Sequence, residues 1–114
     1  MPFIQGTHPA IILMPSLGPS LHDALHTAGY SQHRGLRWTR ENEIMTYRKG
    51  FGLGKQNHVQ LVAESTGLAV YSHTEPSGYG LTHFLSAIRD EADFNDGARR
   101  LKRDLKRVGF LRDE

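Results

Sequence analysis

The chain has 114 residues, of which 38% are hydrophobic and 23% are charged, and its formal net charge is +2. This length and composition predict one globular domain covering residues 1–114, and they exclude a predominantly disordered chain. The sequence contains no cysteine, which excludes disulfide bonds, metal sites with thiolate ligands and catalytic cysteine.

Membrane insertion is not expected from the hydrophobic pattern. The longest apolar run, Ala10–Met14, is much shorter than a membrane span, and no basic region precedes it as in a signal peptide. We therefore expect a cytoplasmic protein that has no membrane contact and needs no cofactor.

The first predicted elements are a strand and a helix. Ala10–Met14 is continuous and apolar between two prolines, which favours a short buried strand. Ser20, or alternatively Ser16, can cap a following helix that Gly29 ends. The apolar residues of this helix recur at helical spacing: Leu21, Ala24, Leu25 and Ala28.

The middle of the chain predicts mainly strands. Tyr30–Gly35 is polar and predicts a loop, whereas the β-branched and aromatic content of the next segment predicts a strand over at least Glu43–Arg48. Gly50–Lys55 resembles a phosphate loop in composition but lacks the Ser or Thr and the helix that should follow. We interpret it as a flexible connection. His58–Pro76 then predicts a hairpin with its turn at Ser65-Thr66-Gly67.

Two helices are predicted at the C-terminal end. The first ends near Asp90 or Glu91, and its apolar residues are Leu81, Phe84, Leu85 and Ile88. The second has Asn95 or Asp96 as its cap, Gly109 as its end, and a buried stripe of Ala98, Leu101, Leu105 and Val108. The order of elements predicts an α+β fold: an antiparallel three- to four-stranded sheet with about three helices, two of them C-terminal, packed on one face.

The register of the hairpin decides which side chains share a face. A slip of one residue turns a whole strand over, and hydrophobic burial favours the register that groups Val59, Leu61, Ala63, Leu68 and Val70. The opposite face then carries His58, Gln60, Tyr71, His73 and Glu75. In the other register these polar residues would not share a face.

This polar group has three interpretations. As catalytic residues, His58 and His73 could act in a ribonuclease-like reaction, in which one accepts a proton from a 2′-hydroxyl and the other donates a proton to the leaving oxygen. Glu75 and Tyr71 would orient them. His58, His73 and Glu75 could also hold a metal, although their spacing matches no known metal signature, so we predict no metal site. The simplest interpretation is a polar sheet face exposed to solvent. His22 and His26, four residues apart on the first helix, are likewise expected to face solvent.

Basic charge is concentrated at the C-terminal end. Residues 98–114 contain seven of the fourteen Lys and Arg residues against three acids. Six of these cations fall on one side of the last helix, interrupted by Asp104: Arg99, Arg100, Lys102, Arg103, Lys106 and Arg107. Such a stripe binds polyanions by displacing their condensed counterions, but it is also compatible with an ordinary solvated helix face.

The main functional hypothesis is binding of nucleic acid, RNA or DNA, through this basic helix. Arg37, Arg40 and Arg48, with Trp38 as a stacking surface, could extend the contact. The alternatives are a ribonuclease-like enzyme, binding of an acidic protein partner, and a protein-interaction module that forms a homodimer. The sequence does not decide whether the protein is an enzyme.

Overall fold

The computed structural model describes residues 8–32, 43–52, 54–76 and 91–112. Within them lie five strands, β1 (Ile11–Leu13), β2 (Ser31–Gln32), β3 (Glu43–Phe51), β4 (Lys55–Glu64) and β5 (Gly67–Pro76). There are also two helices, α1 (Gly18–Thr27) and α2 (Glu91–Arg107), and a 3-10 turn at Pro15–Leu17 precedes α1. The predicted α+β class is confirmed. The predicted helix with Leu81, Phe84, Leu85 and Ile88 lies outside the described residues.

The strands form one antiparallel sheet in the order β1-β5-β4-β3-β2. The predicted three to four strands were too few, because β2 lies inside the segment predicted as a loop. Its two residues pair with Tyr47 and Arg48 of β3. So short a strand forms by backbone pairing at a sheet edge and leaves no side-chain alternation to detect in the sequence.

The β4–β5 hairpin has the register that groups the apolar residues. Leu61 lies opposite Val70 and Ala63 opposite Leu68, which confirms the predicted faces. The turn consists of Ser65 and Thr66, because Glu64 pairs with Gly67. Gly67 has a φ of +133°, which glycine adopts without steric cost.

Both described helices cover the same face of the sheet, called here the helix face. Leu21 and Leu25 of α1 and Leu101 and Leu105 of α2 have no exposed surface, and they share a core with Val59, Leu61, Leu68 and Val70. Burial of each leucine side chain contributes about 2 kcal/mol. The helical spacing of these leucines in the sequence thus predicted the packing correctly.

The beginnings of the helices differ from the predictions. Helix α1 begins at Gly18 without a side-chain cap, and Pro19 lies in its first turn, so neither Ser20 nor Ser16 is the cap. Proline is suited to a first turn because it lacks an N–H that would otherwise need a partner. Within the described residues, helix α2 covers Glu91–Arg107, which places the predicted caps, Asn95 and Asp96, inside the helix.

Both helices end at the predicted glycines. After α1, the N–H of Gly29 donates to the carbonyl of His26 and the N–H of Tyr30 to that of Leu25. After α2, Gly109 and Phe110 make the equivalent bonds to Lys106 and Leu105. The glycine φ angles are +102° and +85°, as a Schellman motif requires. The first of these motifs turns Tyr30 into the core, where it is 2% exposed.

The opposite side of the sheet, called here the second face, is also buried. Val62, Ala69 and Tyr71 form a separate apolar cluster there, and Thr46, Gln60 and His73 are 4% exposed or less. The prediction of a solvent-exposed polar face was therefore wrong. Two of its polar side chains bond to carboxylates: Gln60 Nε2 donates to Glu43 Oε1 at 2.7 Å, and Tyr71 Oη to Glu64 Oε2 at 2.5 Å.

No helix in the described ranges is long and apolar enough to cross a membrane.

Candidate polyanion-binding surface and the histidine pair

An open groove runs along the outer side of α2. It is lined by Asn95, Ala98, Arg99, Lys102, Arg103, Lys106 and Arg107. These residues recur every three or four positions, so they form one strip of the helix. Five of the seven carry a positive charge, and we call this strip the basic groove.

Arg100 belongs to a different contact. Its guanidinium carbon lies 3.6 Å from the centroid of the Phe51 ring, and its Nε lies 3.0 Å from Asp96 Oδ2. Asp96 also accepts a hydrogen bond from Arg99. Of the six predicted cations, Arg100 is thus the one directed at the β3–β4 turn, where its cation–π contact with Phe51 holds the turn to α2. Its ion pair with Asp96 lies within the helix.

Asp104 does not interrupt the exposed side of α2, as the sequence suggested. It is 7% exposed and lies 3.4 Å from Lys49 Nζ and 3.3 Å from Arg107 Nη2. Neither Asp104 nor Asp96 lines the basic groove. Each of these carboxylates nevertheless pairs with one groove cation, Asp96 with Arg99 and Asp104 with Arg107, so the positive potential of the groove rests mainly on its central cations, Lys102 and Arg103.

A buried chain of hydrogen bonds fixes α2 against the sheet. The hydroxyl of Tyr30 donates to Asp104 Oδ2 at 3.0 Å, and Asn57 Nδ2 donates to Tyr30 Oη at 3.0 Å and to the carbonyl of Gly97 at 3.3 Å. Ser72 Oγ completes the chain by donating to Asn57 Oδ1 at 2.8 Å. Burial first, and the Asp104 carboxylate second, raise the pKa of Tyr30 well above its ordinary value. Its hydroxyl therefore remains a donor at neutral pH.

His58 and His73 lie directly opposite each other on β4 and β5. Their ring centroids are 5.1 Å apart and the rings are perpendicular. His73 is 4% exposed, and the hydroxyl of Tyr71 donates to Glu64. Glu75 is paired with Gln56 along the backbone, but its side chain lies outside the described part of the structure. The structure thus brings together the two predicted imidazoles.

The sheet separates this histidine pair from α2. Ser72 contacts the helix side through Asn57 and Gly97, so the next side chain, His73, points to the second face. Arg48 is paired with His58 and belongs to the same face, which removes it from the basic groove. Arg37, Trp38 and Arg40 lie outside the described residues. In the described ranges, no group of three or more acidic or histidine side chains is placed to hold a metal ion.

Sequence reasoning missed a second groove, between α1 and strands β3 and β4. Its polar residues include His22, whose Nδ1 lies 2.7 Å from Tyr47 Oη. His22 is half-buried instead of facing solvent as predicted, whereas its neighbour His26 is exposed. Hydrophobic periodicity could have placed His22 beside Leu21 and Leu25, but the Tyr47 contact depends on tertiary packing.

Comparison with protein-family models, curated proteins and solved structures finds no significant match to this chain.

Proposed function

We propose that the protein binds nucleic acid, or a polyanion of similar charge density, along the basic groove of α2. The observation that carries the proposal is that the described residues lining this groove include five cations and no carboxylate: Arg99, Lys102, Arg103, Lys106 and Arg107. Lys102 and Arg103, at its centre, are exposed and form no ion pair with a described residue. They are available to displace counterions from a phosphate backbone.

The length of the groove suits a short run of phosphates. From Arg99 to Arg107 the helix rises by about 12 Å, which corresponds to about three or four successive phosphates along one strand. The lining contains one side chain with an amide, Asn95, and otherwise cations and alanine. Backbone contacts of this kind position a nucleic acid without reading its bases. The proposed binding is therefore weakly dependent on nucleotide sequence.

Salt dependence tests the proposal quantitatively. For a mixed-sequence DNA duplex, we expect log K to fall with log salt with a slope of about −3, from three to four phosphate contacts at about 0.9 each. In the variant Lys102→Gln/Arg103→Gln the magnitude of the slope should decrease by about 2, because two of the phosphate contacts are lost. Fluorescence anisotropy of labelled duplex and of labelled single-stranded RNA, each titrated at several salt concentrations, gives both slopes.

A control variant of equal charge separates the groove from net charge. Lys55 and Arg112 are exposed residues outside the groove, and Lys55→Gln/Arg112→Gln should keep the slope of the parent protein. Equal losses of slope in the two variants would contradict a specific role for the groove. Absence of binding at low salt would reject nucleic acid as the ligand. Binding of polyglutamate in its place, sensitive to Lys102→Gln/Arg103→Gln, would support the acidic protein partner.

The ribonuclease-like hypothesis receives less support from the geometry. His58 and His73 are adjacent, but His73 is nearly inaccessible and the pair lies across the sheet from the cations that were expected to hold RNA. Activity would require RNA to reach a buried face. Equal rates of RNA degradation by the parent protein and by His73→Ala would exclude the proposed role, and light scattering at several concentrations tests the homodimer hypothesis.

A further inference from the structure

The groove between α1 and the sheet has the dimensions of a small-ligand site. Its volume is about 390 Å³, and pockets that hold small molecules range from about 300 to 1,000 Å³. Three parts of the fold form its walls: the 3-10 turn with the start of α1, strand β3, and the end of the β4–β5 hairpin. We call it the α1 groove.

The walls of the α1 groove are mostly apolar. They consist of Pro15, Gly18, Pro19, Ile44, Met45, Leu61, Ala63, Gly67 and Leu68, with His22, Tyr47 and Glu64 as the polar members. Several of the apolar residues remain in contact with solvent, and Ile44 is 57% exposed. A ligand with an apolar body would therefore remove hydrophobic surface from water on binding, which is the main favourable contribution for such sites.

The charge of the lining favours a neutral ligand. Among the described residues of the lining, Glu64 is the single acid, and its Oε2 accepts a hydrogen bond from Tyr71, which lies on the second face. In the part of the chain that the structure describes, no Lys or Arg lines the groove. An anion would find no cation to compensate its desolvation, which distinguishes this groove from the basic groove of α2.

The contact between His22 and Tyr47 supplies hydrogen-bonding groups for one polar atom of the ligand. If Tyr47 donates to Nδ1, the imidazole keeps an Nε2–H donor; if Nδ1–H donates to Tyr47, the phenol keeps its O–H donor. Either tautomer therefore leaves one donor and one acceptor unused within the pair. Burial raises the pKa of Tyr47, so its hydroxyl stays protonated at neutral pH. A hydroxyl group, which both donates and accepts, matches this arrangement.

We propose that the α1 groove binds a compact, neutral molecule with an apolar body and one hydroxyl group, held by His22 and Tyr47. The proposal is independent of polyanion binding by α2. It rests on the volume of the groove, its mostly apolar walls, in which the described residues include no Lys or Arg, and the 2.7 Å contact between the two polar side chains.

The test uses 2-naphthol as the probe and naphthalene-2-carboxylate as its anionic counterpart. In ¹H–¹⁵N correlation spectra of the full chain, 2-naphthol should shift the amide signals of the groove residues saturably. Naphthalene-2-carboxylate should bind there at least tenfold more weakly. Ala63 is exposed at the groove wall, and Ala63→Phe should fill the site and abolish the shifts while circular dichroism shows a folded protein.

A matched pair of histidine variants tests the polar contact. His22→Phe should weaken 2-naphthol binding about tenfold, because a hydrogen bond is lost. His8→Phe, at an exposed histidine outside the groove lining, should leave affinity unchanged within twofold.

Three results would overturn the proposal. One is that the shifts lie elsewhere or persist in Ala63→Phe, and another is that the carboxylate binds in the groove as tightly as 2-naphthol. The third is that the groove signals move with protein concentration in the absence of probe, because a second copy of the chain would then be the occupant.

Discussion

Tyr30 shows how one residue can link several parts of the fold. Its hydroxyl donates to Asp104 and accepts from Asn57, and Lys49 Nζ lies 5.5 Å from the centroid of its ring. It reaches this position because Gly29 ends α1 with a positive φ and turns the chain inwards. Removal of the hydroxyl would leave buried polar groups on α2 and β4 without this partner, which typically costs about 1–3 kcal/mol.

The raised pKa of Tyr30 predicts a loss of stability at alkaline pH. Below pH 10 the hydroxyl is protonated in both the folded and unfolded states, and the full contribution is present. As the pH rises above about 10, the unfolded state loses its proton first, and stability falls by about 1.4 kcal/mol per pH unit for this group. Tyr30→Phe should lower the free energy of unfolding at pH 7 by about 1–3 kcal/mol.

The same variant should show a shallower decline between pH 10 and 11.5 than the parent protein. Urea unfolding at a series of pH values measures both effects, since other titrating groups largely cancel in the comparison. An unchanged alkaline slope in Tyr30→Phe would show that the hydroxyl does not resist ionisation in the folded protein.

At the level of elements, α2 approaches β5 unusually closely at Gly97. A Cβ built on Gly97 would lie 2.5 Å from His73 Cα, 2.6 Å from His73 N and 2.8 Å from the carbonyl carbon of Ser72. Backbone atoms cannot move aside as a flexible side chain can. The glycine thus permits the approach at which Asn57 reaches the carbonyl of Gly97.

We expect Gly97→Ala to destabilise the protein, even though alanine favours helices by about 1 kcal/mol over glycine. The added methyl group must push α2 away from β5, and overpacking of this kind costs about 1–3 kcal/mol. Gly50→Ala is the control, because a Cβ there has its nearest contact at 3.8 Å and should change stability by no more than about 0.5 kcal/mol. Equal midpoints of thermal unfolding for Gly97→Ala and the parent would refute the close packing.

The elements that the sequence predicted best are those with strong hydrophobic periodicity. Leu21 and Leu25 marked α1, Leu101 and Leu105 marked α2, and the alternation in β4 and β5 gave the correct faces. The predicted caps were wrong: α1 begins with Gly18 and Pro19 and has no side-chain cap, and Asp96 binds Arg99 and Arg100 within α2. The β2 strand was missed because its two residues depend on pairing with β3.

For the whole molecule, the main finding is that polar residues line a buried sheet face. Gln60 and Tyr71 bond to carboxylates, and His73 packs against His58. A sequence pattern of alternating polar residues does not show whether their hydrogen-bond partners are water molecules or other buried polar groups. The sequence pattern therefore predicted correctly that the two histidines are adjacent. It could not show that His73 is buried or that the sheet separates the pair from α2.

Two alanines on the same hairpin test this architecture. Ala69 on the second face has no exposed surface, whereas Ala63 near the turn is exposed. Ala69→Asp should lower the free energy of unfolding by about 3 kcal/mol or more, since it buries an uncompensated charge. Ala63→Asp should change it by about 0.5 kcal/mol or less. Chemical denaturation compares the two, and a similar small effect in both would mean that the second face is accessible to water.

Strand β5 carries a further consequence for how this sequence can vary. All seven residues from Leu68 to Thr74 are buried. The side chains on both faces of the strand are therefore constrained by packing. Even-numbered positions must suit the helices, and odd-numbered positions must suit the second face. A tolerated substitution in β5 therefore requires a compensating substitution in a neighbouring element. We expect a change in β5 to occur together with a change in an element that it contacts more readily than alone.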